Sequence, residues 1–193
     1  IPDGLLNITR HPLSRLKLIG QNFRRLRRLV SPELDYSHFT GDRIGSEAPF
    51  VDRIYSLAGF PHEYPTNKVV PLPPLVEKQS RVVEAMTTDA ALIVGQPLVG
   101  IGALTPADLD VVLLNMISWL RSQDIKRVIY KAHPRDPNHE YRPPGSELLE
   151  IKEPLEIHMA KNTYRVVIGC FSTSLYLARQ IYGQDVPVIS FGT

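Results

Sequence analysis

The chain has little of several things, and each scarcity closes off a class of protein. Cys170 is the single cysteine in 193 residues, so neither an internal disulfide framework nor a Cys-rich zinc site can be built, and a reducing compartment suits the composition. No apolar run approaches the ~18 residues needed for a bilayer-spanning helix. Net charge is scarce too: 22 Lys and Arg against 20 Asp and Glu leave a formal +2, which by itself gives no footprint for nucleic acid. Neither G-x-G-x-x-G nor G-x-x-x-x-G-K-[ST] occurs, so neither a dinucleotide fingerprint nor a P-loop is indicated. There is no internal repeat, and no low-complexity tract beyond VVPLPPL at 69–75. The opening Ile1-Pro2-Asp3-Gly4 reads as the interior of a protein, so a fragment or a processed chain is expected.

What is present points to a globular α/β protein. An apolar share of 43% and a charged share of 22% are ordinary for such proteins, and the length suits one domain or one domain plus part of another. From residue 76 onward, short runs rich in Val and Ile (ALIV, RVIY, ELLEI, RVVIGC, VPVISF) alternate with longer segments such as VEKQSRVVEAM and TSLYLARQIYG. That alternation predicts βα units on a Rossmann-like parallel sheet. The clearest helix runs over 105–122, with Thr105 as cap, Pro106 in the first turn and Asp108 three residues after the cap. Leu109, Val112, Leu113, Met116, Ile117 and Leu120 recur at helical spacing, and that face should pack on the sheet.

Residues 1–75 lack this rhythm and read as a partial N-terminal or linker region. Between Asp3 and Glu33 lie Arg10, Arg15, Lys17, Arg24, Arg25, Arg27 and Arg28 with no acidic residue, while Leu16, Ile19, Phe23, Leu26 and Val30 recur at threes and fours. A basic amphipathic helix is expected. Its charge is either a solvated face on a helix that docks by its apolar side, or a surface for an anionic acceptor or anionic lipid. The stretch 31–75 reads as irregular and as a candidate for mobility.

Three strand ends suggest a site. Lys131-Ala-His133-Pro134-Arg135 follows the strand VIY, so His133 should sit at the carboxyl edge of the sheet, where ligands of open α/β folds collect. Pro134 keeps His133 extended and prevents a helix from starting there. A protonatable imidazole between Lys131 and Arg135 suits a phosphate, although His-Pro is also simply a turn. Ser172, Thr173 and Ser174 open a helix after RVVIGC and offer hydroxyl and backbone donors to an anion, although Ser and Thr are also ordinary caps. Gly95 and Gln96, after ALIV, bring backbone to the same rim.

The ordered set of K-x-H-P-R, then Glu153-Pro154 near a short strand, then hydroxyl residues opening a helix resembles the nucleotide domain of bacterial GT-B sialyltransferases, polysialyltransferase-like group. Pro2-Asp3-Gly4 is similar to that family's acidic motif, with Pro in its first acidic position. The resemblance covers residues 85–193 and, loosely, the first few. It implies the C-terminal half of a GT-B glycosyltransferase, with 76–193 as the CMP-sugar-binding domain. It implies that His133 contacts the donor phosphate and stabilises or protonates departing CMP. Ser172, Thr173 and Ser174 would hold that phosphate, Glu153 would accept from the ribose hydroxyls, and Lys131 would lie near the nucleotide. Asp3 would be the general base for the acceptor hydroxyl.

A monophosphate leaving group carries less charge than a diphosphate, so no metal and no cofactor beyond the CMP-sialic acid donor is expected. One base and direct displacement imply inversion. The implied partners are a CMP-sugar donor and a glycan acceptor, not nucleic acid; peripheral membrane association is left open by the Arg-rich helix itself. The expected location is cytoplasmic, with the periphery of the inner membrane open on the same ground. A CMP-Kdo or UDP-sugar donor, and a non-catalytic nucleotide-binding fragment, stay open as alternatives.

Overall fold

Residues 12–31, 41–43, 45–74 and 86–191 are described by the computed structural model, which separates into two units, Ile1–Pro74 and Leu75–Thr193. In the first unit, α1 (Arg15–Leu26) runs into a 3-10 turn, Arg27–Leu29. The periodic Leu, Ile and Phe positions of the sequence therefore do form a helix. Farther on, β1 (Ile54–Leu57) and β2 (Val69–Leu72) pair in parallel from Ile54↔Val69 to Leu57↔Leu72. The expectation of a wholly irregular 31–75 is thus corrected. Pro71 and Gly59 disguise the pairing, but a two-stranded sheet consists only of edges, where a missing proline N–H is tolerated. Arg43 Nη2 meets Glu63 Oε2 at 2.7 Å and Lys68 Nζ donates to the Ala48 carbonyl at 2.9 Å, tying the loops around this pair.

The second unit is a five-stranded, all-parallel sheet of β3 (Met86–Val94), β4 (Arg127–Lys131), β5 (Glu147–Leu148), β6 (Asn162–Gly169) and β7 (Val188–Ser190) in the order β5-β4-β3-β6-β7. Helix α2 (Pro106–Ser122) joins β3 to β4, α3 (Leu155–Lys161) precedes β6, and α4 (Thr173–Tyr182) joins β6 to β7. This is an α/β, Rossmann-like architecture. The segment 76–85, read from sequence as part of a helix, lies outside the described residues.

Period-two alternation along β3 divides the core. Ala91 and Ile93 face one side with Tyr130, Val166 and Ile168, and there meet Leu109, Val112, Met116 and Leu120 of α2. Ala90, Leu92 and Val94 face the other side, against Met159 of α3 and Leu175, Ala178 and Tyr182 of α4. Both faces are covered, which is why these strands read as near-continuous apolar runs. Thr105 starts α2 in a full capping box: its side chain accepts from Asp108 N while the Asp108 carboxylate accepts from Thr105 N. The ELLEI segment contributes only two strand residues, and α3, seven residues long, was not anticipated.

Candidate active site

The strand order creates a switch point. From β3 the chain winds outward to β4 and β5, then crosses back to place β6 on the other side of β3. The loop leaving β3 goes to α2 on one face and the loop leaving β6 goes to α4 on the other, so a crevice opens between their carboxyl ends. Register sets the floor: Val94 pairs with Lys131, Ile93 with Ile168, and Gly169 with Ser190.

Gly95 is the centre of that floor. Its N–H donates to the Lys131 carbonyl at 2.9 Å, continuing the ladder one residue past β3. A Cβ here would come within 2.6 Å of Tyr130 Cζ and still closer to Tyr130 Oη, so only glycine allows this approach. Tyr130 is wholly buried beneath it, and its hydroxyl has no hydrogen-bond partner among the described residues. Burial, reinforced by the nearby Asp136, pushes the Tyr130 hydroxyl well above its ordinary value, so it stays protonated.

On one side of Gly95 stands His133, two residues beyond β4. Its carbonyl accepts from Asp136 N at 3.0 Å, closing a turn, and its Nδ1 accepts from Arg135 N at 3.1 Å. A neutral imidazole that accepts at Nδ1 carries its proton on Nε2, which is then a donor. Burial first, then Arg135 and Lys131, hold the His133 pKa below its ordinary value against the opposing pull of Asp136. At neutral pH the ring is therefore uncharged. The loop itself is anchored. Buried Asp136 accepts from Glu140 N at 2.8 Å, and Glu140 accepts from Val99 N at 2.8 Å and Gly100 N at 3.3 Å, binding the loop after β4 to the loop after β3. Lys131, half-buried at the strand end, and exposed Pro134 flank His133.

On the other side, past β6, Ser172 caps α4 by accepting from Ser174 N at 3.2 Å. Thr173 and Ser174 follow in its first turn, half-buried. The start of α4 adds the positive end of the helix dipole, while Ser174 N and Leu175 N are already taken by the Ser172 side chain and carbonyl. Neighbouring strands lie ~4.8 Å apart, so the ends of β4 and β6 stand about 10 Å apart across β3 on the same edge of the sheet.

Gln96 takes a role the sequence did not suggest. Its Nε2 donates to the Phe171 carbonyl at 2.8 Å and its Oε1 accepts from Phe171 N at 2.7 Å. Both ends of the amide are engaged by one backbone unit, so Gln96 straps the two walls of the crevice together. Glu153 lies beyond β5, just before α3, where its carboxylate meets Lys161 Nζ at 2.5 Å and lies 3.7 Å from His158 Nδ1. Asp3 is outside the described residues. The structure therefore brings Gly95, Gln96, Lys131, His133, Pro134 and Ser172 to Ser174 to three adjacent strand ends, and holds Glu153 in an ion pair at the start of α3.

Among the described residues, no three His, Cys, Asp or Glu side chains are grouped to hold a metal ion. A groove of about 480 Å³ lined by Ile117, Arg121, Lys126, Val128 and Pro144 opens at the opposite, amino-terminal edge of β4. No helix among the described residues is long and apolar enough to cross a membrane.

Comparison with curated proteins finds no match. Residues 43–190, well over half of the chain and all of the described sheet and crevice up to β7, match the model of the alpha-2,8-polysialyltransferase (POLYST) family. The chain belongs to that family, and it is a glycosyltransferase of the sialyltransferase kind.

Proposed function

We propose that the crevice between β3 and β6 is the CMP subsite of a GT-B enzyme that moves a sialyl residue from CMP-sialic acid to a glycan hydroxyl with inversion and without a metal. One observation carries this reading: His133, whose Nδ1 accepts from Arg135 N so that Nε2 is turned to the ligand as donor, and a hydroxyl-rich helix start stand on opposite sides of Gly95, on one edge of the sheet. Those donors suit one monophosphate. In the transfer, the bond from the anomeric carbon to the phosphate oxygen breaks as the bond to the acceptor oxygen forms. The acceptor proton goes to the base, for which the family resemblance offers Asp3. The electron pair leaves with CMP, where charge developing on phosphate is met by His133 Nε2–H, the hydroxyls of Ser172, Thr173 and Ser174, and the positive end of the α4 dipole. Lys131 adds positive potential nearby. The carboxylate of Glu153 accepts from ribose hydroxyls on the lone pairs that Lys161 leaves open.

Calorimetric titration of CMP, with UMP in parallel, tests the subsite, and transfer from CMP-sialic acid tests the chemistry. The expected outcome is preference for CMP, and in His133→Ala a transfer rate lower by roughly 10²–10⁴-fold with an unchanged melting curve. Wild-type transfer by His133→Ala would remove the imidazole from the mechanism, and equal binding of UMP would shift the reading to another donor.

A further inference from the structure

Helix α1 lies outside the family match, and the transfer site makes no use of its chemistry. Projected at 100° per residue, Leu16, Ile19, Phe23 and Leu26, continued by Val30, share one arc; Arg15 and Arg27 border that arc on either side, and Lys17 and Arg24 point away from it. The apolar arc is uncovered: Leu16 is 81% exposed, Phe23 69% and Val30 89%. Charge is segregated as sharply as hydrophobicity, because the nearly balanced chain places seven Lys and Arg and no acidic residue between Asp3 and Glu33.

A partner that fits must be apolar and anionic at once. A polyanionic glycan would satisfy the arginines but offers nothing to cover Leu16 and Phe23. A lipid surface with anionic headgroups supplies both, and arginines at the borders of an apolar arc can extend to headgroup phosphates while their stems stay among the acyl chains. Length fixes the orientation. Twelve residues at 1.5 Å each make about 18 Å, short of the ~30 Å hydrocarbon core. We propose that α1 lies in the plane of an anionic membrane surface with Leu16, Ile19, Phe23 and Leu26 below the headgroups.

The test is co-sedimentation of the whole chain with vesicles of phosphatidylcholine alone and of phosphatidylcholine mixed with phosphatidylglycerol. Binding is expected only to the mixed vesicles, weakening as salt shortens the screening length. Each of Arg15→Gln and Arg27→Gln should lower the partition coefficient roughly fivefold, and Phe23→Asp should abolish binding without changing the melting curve. Three results overturn the proposal: no binding to anionic vesicles at low salt, equal binding to neutral vesicles, or undiminished binding by Phe23→Asp. Capture by soluble polysialic acid in place of the mixed vesicles would assign the charge to a glycan and overturn it as well.

Discussion

Gln96 shows how a side chain can shape a crevice through another residue's backbone. Its amide holds the peptide unit of Phe171, and Phe171 leads directly into the Ser172 cap. Gln96→Glu removes the donor to the Phe171 carbonyl and sets a carboxylate against that oxygen, whereas Gln96→Leu removes both bonds at similar volume. Because such bonds contribute about 0.5–1.5 kcal/mol each, Gln96→Leu should melt only slightly earlier yet weaken CMP binding about tenfold, as read by calorimetry on the same samples. CMP binding unchanged in both variants would make the strap purely structural. In the sequence this role is invisible. Gln96 looks like one more rim residue, and its partner is 75 positions away. Glu153 hides in the same way, since its partner Lys161 stands at the far end of α3, a helix with no strong local signal. His133, Ser172 and Gly95 were legible because each lies directly at the end of a Val/Ile-rich run, where local order alone fixes the rim.

At the scale of elements, legibility follows the strength of local signals. Helix α2 shows a reciprocal cap, a first-turn proline and an apolar period from Leu109 to Leu120, and it begins where those signals put it. Helix α3 has none of these. Its N-cap is Pro154, which has no side chain to cap with, and seven residues carry only Met159 to a buried position. The pair β1 and β2 was missed because Gly59 and Pro71 punctuate it as a loop. The consequence for α2 is energetic. Met116 is completely buried on its sheet-facing side, against the core that includes Ile93 and Tyr130, so Met116→Ala should cost ~2–5 kcal/mol by lost transfer and a residual cavity. Denaturant unfolding measures it. Since α2 leaves the crevice by its far end, variant protein that remains folded should bind CMP with nearly wild-type affinity; a parallel loss of affinity would show that the sheet edge depends on α2 packing.

For the whole molecule, the sequence supplies strands and their direction but not their lateral order, and the order decides which loops meet. That β6 returns beside β3, rather than continuing outward past β5, is what puts Ser172 and His133 on opposite sides of one glycine. Assembling donors this way has a pH cost. Burial holds His133 below its ordinary pKa, with Arg135 and Lys131 adding to it and Asp136 opposing; burial likewise lowers His158, which hydrogen-bonds Tyr164 at 2.7 Å, with Lys161 adding and Glu153 opposing. Below pH ~6.5 an unfolded chain protonates both rings while the folded one resists, so the unfolded state binds more protons and stability must decline as pH falls. The decline starts near the ordinary histidine value and levels off once the folded rings also protonate. Thr105 at Asp108 and Arg127 at Glu147 lower those two carboxylates, whose contributions fade only in the more acidic range below the usual carboxylate value. Urea unfolding between pH 7.5 and 5.5 should therefore show falling stability, and His133→Gln with His158→Gln should flatten the slope. A bound phosphate reverses the sign at His133, because an anion at Nε2 raises that pKa and makes binding take up a proton. Saturating CMP should accordingly reduce the decline in wild type and in His158→Gln, but not in His133→Gln.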